Sequence, residues 1–176
     1  AAARLIKLGF SDVSILNGGV QGWADAGYVI FKGVNVPCKA FGEVVEHQAN
    51  TPRIPPEDLV SMEKNGEKYV ILDGRTPAEY ERMNIPGGIS VPNGELVYRV
   101  HDFAPDADTT IVVNCAGRTR SIIGAQTLIN AGLPNKIVAL KGGTMGWTLS
   151  GLELEHGATR RYGDLSDGAK KIALDR

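Results

Sequence analysis

Residues 109–114 read TTIVVN, a continuous β-branched and apolar run without polar alternation, as expected of a strand covered on both faces of a sheet. The run stops at Cys115. Residues 119–131 then carry Ile122, Ile123 and Leu128 at helical spacing, with Gly124 and Ala125 leaving room for close packing, and predict a helix lying on that sheet. Upstream, residues 68–72 (KYVIL) form a second short apolar run, closed by Asp73-Gly74-Arg75. Thr76-Pro77-Ala78-Glu79 is a capping box, with a Thr cap answered by Glu three positions on, and predicts a short helix to about Met83. Asn84-Ile85-Pro86-Gly87-Gly88 is a turn, residues 89–91 a brief strand, and residues 94–100 a helix or turn. Pro55-Pro56-Glu57-Asp58 opens a further helix through LVSMEK. Strand and helix patterns alternate, which predicts an α/β domain with a parallel sheet and helices on its faces.

A repeat organises the rest. LGFSDVSILNGGVQGWADAGYVI near the start matches AGLPNKIVALKGGTMGWTLSGLEL near the end: Gly18, Gly19, Trp23 and Gly27 lie 124 residues before Gly142, Gly143, Trp147 and Gly151. Each copy reads as a helix end, an apolar strand (residues 13–16 and 137–140), a Gly-Gly turn and a helix with a buried Trp. The second copy follows a full α/β pattern, whereas the first stands alone, so residues 1–30 are expected to be the tail of an upstream domain. Residues 31–52 show no sustained periodicity and predict a linker. The polar residues 156–176 are expected to lead toward a further domain.

Composition narrows the class of function. A formal net charge of -1 gives no standing attraction to nucleic acid or anionic membrane. No apolar run nears the roughly 18 residues that span a bilayer. Cys38 and Cys115 form neither a disulfide framework nor a metal spacing, which fits a reducing compartment and a cytoplasmic location. Cys38, after Pro37 in the linker, is expected to be a bystander. His47, His101 and His156 are isolated, so no metal is expected.

Candidate chemistry centres on Cys115. It lies between the end of the most buried strand and the start of a helix, the edge of a parallel sheet where ligands bind. Backbone N–H groups of such a loop, joined by the free donors of the helix N-terminus, favour an anion, and the thiolate is the reactive form of cysteine. Arg118 and Arg120 add positive charge.

Asp73-Gly74-Arg75 after a strand, Glu79-Tyr80 leading to Asn84-Ile85-Pro86-Gly87-Gly88, the loop at 115–120 (CAGRTR), and Gly142-Gly143 with Trp147 together resemble the rhodanese-like sulfurtransferases. The resemblance covers about residues 53–155, and Asn84 stands where that family usually has His. It implies a doubly wound, mostly parallel α/β sheet flanked by helices. It also implies transfer of sulfane sulfur from thiosulfate or a similar donor to cyanide or a thiol, through a persulfide on Cys115. Ala116, Gly117, Arg118, Thr119 and Arg120 would form the binding cradle, with Asp73 and Arg75 shaping the loop through ion pairs. No cofactor is implied, and the expected partners are the small sulfur donor and acceptor and other rhodanese-like domains of the same chain. Residues 1–30 then read as the end of an upstream rhodanese-like repeat, and 53–155 as a complete domain.

Two other readings stay open. A non-catalytic rhodanese-like binding or regulatory module is one. The other is a phosphatase or arsenate reductase with a cysteine loop, but such loops follow Cys-x5-Arg, and here Ser121 holds the arginine position.

Overall fold

The computed structural model describes residues 2–30 and 36–174 and divides into two compact units, Ala1–Val34 and Asn35–Arg176. The first unit holds two short helices, α1 (Ala2–Lys7) and α2 (Gly19–Asp25), neither with a buried residue. Residues 13–16, expected as a strand, take no strand conformation. An extended segment becomes a strand only beside a hydrogen-bonded neighbour, and this unit supplies none.

The second unit carries a five-stranded sheet built from β1 (Arg53–Ile54), β2 (Tyr69–Asp73), β3 (Ile89–Ser90), β4 (Thr110–Asn114) and β5 (Ile137–Leu140). Their order is β1-β5-β4-β2-β3 and every ladder is parallel. Around the sheet run α3 (Val36–Ala49), α4 (Pro56–Lys64), α5 (Pro77–Arg82), α6 (Leu96–Phe103), α7 (Thr119–Asn130), α8 (Gly143–Leu149) and α9 (Asp167–Leu174). No described helix is long and apolar enough to cross a membrane.

All five residues of β4 are buried, and the reason is the two-sided core. Successive strand side chains point to opposite faces. Ile111 and Val113 join Leu72, Leu96, Val100, Ile122 and Leu128 on one face, while Val112 joins Ile71, Leu59, Met62, Val138 and Trp147 on the other. A strand whose middle feeds both layers is apolar there, at Ile111, Val112 and Val113, and the doubly wound α/β architecture follows. Within α7, Ile122 and Leu128 are buried, but Ile123 is only partly so, having rotated toward the helix flank.

From the Gly-Gly turn onward the two copies of the sequence repeat fold alike. Gly18 and Gly142 adopt left-handed φ of 71° and 77°, and each tryptophan indole donates to the carbonyl six residues on: Trp23 to Val29 at 3.0 Å and Trp147 to Glu153 at 2.8 Å. Their burial is opposite. Trp147 is 7% exposed against the sheet, whereas Trp23 is 42% exposed.

Two stretches expected to be linkers are structured. Within residues 31–52, positions 36–49 form α3, which lies along α7. Its inward positions are Gly42, Val45 and Glu46, a glycine and a glutamate among them, while Phe41 and Val44 face outward. The buried stripe is therefore not apolar, and hydrophobic periodicity could not reveal it. Residues 31–35 lie outside the described set. Within 156–176, Leu165 and Ala169 are buried, α9 packs on α6, and Arg99 stacks 3.7 Å from the Tyr162 ring centre. A few well-spaced apolar residues hold this polar segment to the domain.

Candidate active site

Parallel pairing puts the C-terminal ends of β2, β4 and β5 on one edge, and register sets Asp73 beside Asn114. Immediately after Asn114 the chain turns through 115–118 into α7. Cys115 sits at this turn, 1% exposed. Its thiol lies 3.5 Å from the Ser121 hydroxyl oxygen, and that hydroxyl donates to the Arg118 carbonyl at 2.8 Å. The recorded polar neighbour of the sulfur is therefore a group that can turn its proton toward a thiolate.

The orientation of the loop is fixed from behind. Thr144 N–H donates to the Cys115 carbonyl at 2.9 Å and Met145 N–H to the Ala116 carbonyl at 3.0 Å. Because a trans peptide holds its N–H opposite its C=O, the Ala116 and Gly117 N–H groups point away from the α8 amides that bind this loop. In α7 the first backbone bond is Ile122 N–H to the Arg118 carbonyl, so the N–H groups of Thr119, Arg120 and Ser121 keep no helical acceptor. Cys115 thus lies just before amides that keep no helical acceptor, at the positive end of a 12-residue helix.

Gly143 makes this docking possible. It has φ 54°, and a Cβ there would stand 2.2 Å from the Cys115 carbonyl oxygen and 2.9 Å from the Gly117 nitrogen. Gly143→Ala should lower stability by about 2–4 kcal/mol, combining left-handed strain with overpacking, and should displace the loop. Urea unfolding checks the first effect and the alkylation rate of Cys115 the second.

Asp73 and Arg75 meet in a buried ion pair. Arg75 Nε donates to Asp73 Oδ1 and Oδ2 at 2.9 and 3.1 Å, and Nη2 donates to Oδ2 at 2.8 Å and to the Met83 carbonyl at 2.6 Å. Asn114 Nδ2 donates to the same carboxylate at 2.8 Å. The residue next to Cys115 is thus tied to β2 through side chain as well as backbone.

Arg118 and Arg120, expected to face an anionic donor, are both held by carboxylates. Arg120 forks onto Glu79 at 2.7 and 2.8 Å. Arg118 contacts Glu43 at 2.8 Å and also Glu46, which in turn binds Arg53 at 2.6 Å. The Arg120 guanidinium, with help from Thr76, holds the Glu79 carboxyl at about 2, against an ordinary 4.5. A carboxylate depressed in the fold stabilises above its ordinary value, and that contribution is lost as pH falls through about 2. Both partners are about 40% exposed, so the pair is worth no more than about 1 kcal/mol. Glu79→Gln, which keeps the capping amide oxygen, should therefore shift urea stability at pH 7 by less than about 1 kcal/mol while freeing Arg120.

Of the residues expected at the site, 115–118 form the turn and Thr119 and Arg120 open α7, with Asp73 and Arg75 on the neighbouring strand end. Cys38 is exposed on α3. Ser121, Asn114, Gly143, Glu43 and Glu46 were not foreseen as site partners. Asn93 was missed too: it donates to the Arg120 carbonyl at 2.8 Å. Only Ser121, inside the loop motif, left a local signal. Among the described residues no group of three or more His, Cys, Asp or Glu is placed to hold a metal ion.

Comparison with known proteins gives this geometry a family context. A crystal structure of thiosulfate sulfurtransferase from Pseudomonas aeruginosa is 54% identical over 99% of this chain and 33% of that one, with a TM-score of 0.79. A protein from Rhodopseudomonas palustris CGA009, described as of unknown function and a possible tyrosine phosphatase, is 29% identical over 72% of this chain and all of its own, with a TM-score of 0.55. A sulfurtransferase from Allochromatium vinosum is 28% identical over 57% of this chain and 92% of its own. The chain spans about half the length of two other curated relatives it matches. The rhodanese-like domain family matches residues 56–150, from the start of α4 through α8, and so takes in both the Asp73–Arg75 pair and the cysteine turn. With more than half its length matched and the sheet, turn and buried pair in place, this chain belongs to the rhodanese-like domain family.

Proposed function

We propose that the second unit is a sulfurtransferase that carries sulfane sulfur as a persulfide on Cys115. The observation that carries this reading is the anchored turn, which holds a single thiol just before the α7 N-terminus with the Ser121 hydroxyl 3.5 Å from its sulfur. In the first half-reaction the Cys115 thiolate attacks the outer sulfur of thiosulfate. A new S–S bond forms, the bond to the sulfonate sulfur breaks, and its electron pair leaves on sulfite. In the second, cyanide or a thiolate attacks the outer sulfur of the persulfide, the electron pair returns to Cys115, and thiocyanate or an acceptor persulfide departs. Loop amides stabilise the sulfur anion in both resting states, and the Ser121 hydroxyl can add a third type of donor.

Mass spectrometry after incubation with thiosulfate tests the proposal. The Cys115 peptide should gain one sulfur atom, and cyanide should remove it as thiocyanate. Absence of both would leave the binding-module reading. Phosphate chemistry has less support: Ser121 stands where a phosphatase loop carries its arginine, and Arg120 is forked onto Glu79. No hydrolysis of phenyl phosphate is expected.

We infer further that residues 2–30 close a second domain of the same kind. Support comes from the matched Gly-Gly turns and indole bonds, together with exposed Phe10, Ile15, Leu16, Val20 and Trp23 where the second copy is buried. Removing residues 1–34 should leave the melting temperature of the second unit within about 2 °C and lower binding of a hydrophobic dye.

A further inference from the structure

We propose that Glu43 and Glu46 are specificity residues for the Cys115 site: by holding Arg118 they make the turn discriminate against dianionic sulfur donors. The proposal rests on the sulfur-transfer reading for its donors, but on geometry alone for its effect on charge.

Arg118 is the N-cap residue of α7, and its side chain makes no capping hydrogen bond. Instead the guanidinium reaches α3, where Nη2 lies 2.8 Å from Glu43, and Nε lies 3.1 Å from Glu46. Glu46 is 8% exposed and is held from its other side by Arg53. The close approach is built into the backbone. At Gly42 a Cβ would stand 2.8 Å from the Thr119 methyl and 3.3 Å from its Cα, so a side chain there would push α3 off the start of α7.

The consequence is electrostatic. The turn by itself carries two guanidinium groups, Arg118 and Arg120. With its partners, three guanidiniums (Arg53, Arg118, Arg120) face three carboxylates (Glu43, Glu46, Glu79), a formal sum of zero. An approaching dianion meets a turn whose own guanidinium groups, Arg118 and Arg120, are both already paired with carboxylates. α3 lies outside residues 56–150 that match the family, so this pair of carboxylates is an addition from the neighbouring segment of this chain.

The test uses the full chain with Glu43→Gln, Glu43→Asp and Glu46→Gln. Glu43 is the cleaner site, because its side chain is 44% exposed, whereas Glu46 also holds Arg53. Alkylation of Cys115 by anionic iodoacetate and by neutral iodoacetamide is followed at low ionic strength. Peptides are resolved so that exposed Cys38 is counted apart. The iodoacetate to iodoacetamide rate ratio should rise about two- to threefold in Glu43→Gln, stay near wild type in Glu43→Asp, and lose the gain in concentrated salt. The KM for thiosulfate should fall about threefold or more in the glutamine variants, with kcat within about twofold. An unchanged ratio in both glutamine variants, a gain equally large in Glu43→Asp, or no reaction of Cys115 with either reagent would overturn the proposal. A raised ratio in a protein without thiosulfate turnover would retain the clamp and reject the sulfur-transfer reading instead.

Discussion

Cys115→Ser should abolish thiosulfate-dependent thiocyanate formation, by about a thousandfold or more, while leaving the melting temperature close to that of the parent. Serine keeps the size of the side chain, and Ser121 can bond a hydroxyl as it bonds the thiol. What is lost is the nucleophile: an alcohol at neutral pH supplies almost no oxyanion. Sulfur loading followed by mass spectrometry separates this outcome from a binding defect. Persistence of a sulfur adduct in Cys115→Ser would move the chemistry to Cys38, the other cysteine of the chain.

Asp73→Ala should cost about 3–5 kcal/mol, because it strands a charged Arg75 that is 3% exposed. In a unit of this size that corresponds to a fall in melting temperature on the order of 10 °C. The Asn114 amide loses its acceptor in the same step, so the residue preceding Cys115 is loosened. Removing both charges with apolar residues of similar volume, as in Asp73→Leu with Arg75→Met, should recover part of the stability but not the tie to Asn114. Calorimetry of the three variants decides it. A drop of only a degree or two for Asp73→Ala would mean that the pair is solvated in solution and does not brace the turn.

These predictions draw on features with very different visibility in the chain. Thr76 and Glu79 announce a capping box, and both of its hydrogen bonds form, because the motif is complete within four residues. The apolar run before Cys115 marks a two-sided strand for a similar reason: burial on both faces calls for consecutive apolar residues, here 111 to 113. The helix after the turn was legible from its spacing, and its glycine at 124 does permit contact with Val113 and Leu96. By contrast, the stripe of α3 that packs inward contains Gly42 and Glu46, residue types that read as loop or surface. Residues 165–172 carry too few apolar groups to register as a packed segment, yet Leu165 and Ala169 are buried.

Local pattern was enough for the α/β alternation, the position of the cysteine turn and the repeat of the Gly-Gly-Trp unit. Each of these is written in local periodicity or in spacing that the backbone must obey. It took the docking of whole elements to bring Gly143 against the Cys115 carbonyl, Asp73 against Asn114, and Glu43 and Glu46 onto Arg118. Those contacts join residues 28, 41 and more than 70 positions apart, and an ion pair at such separation depends on where whole elements dock, which no local pattern encodes.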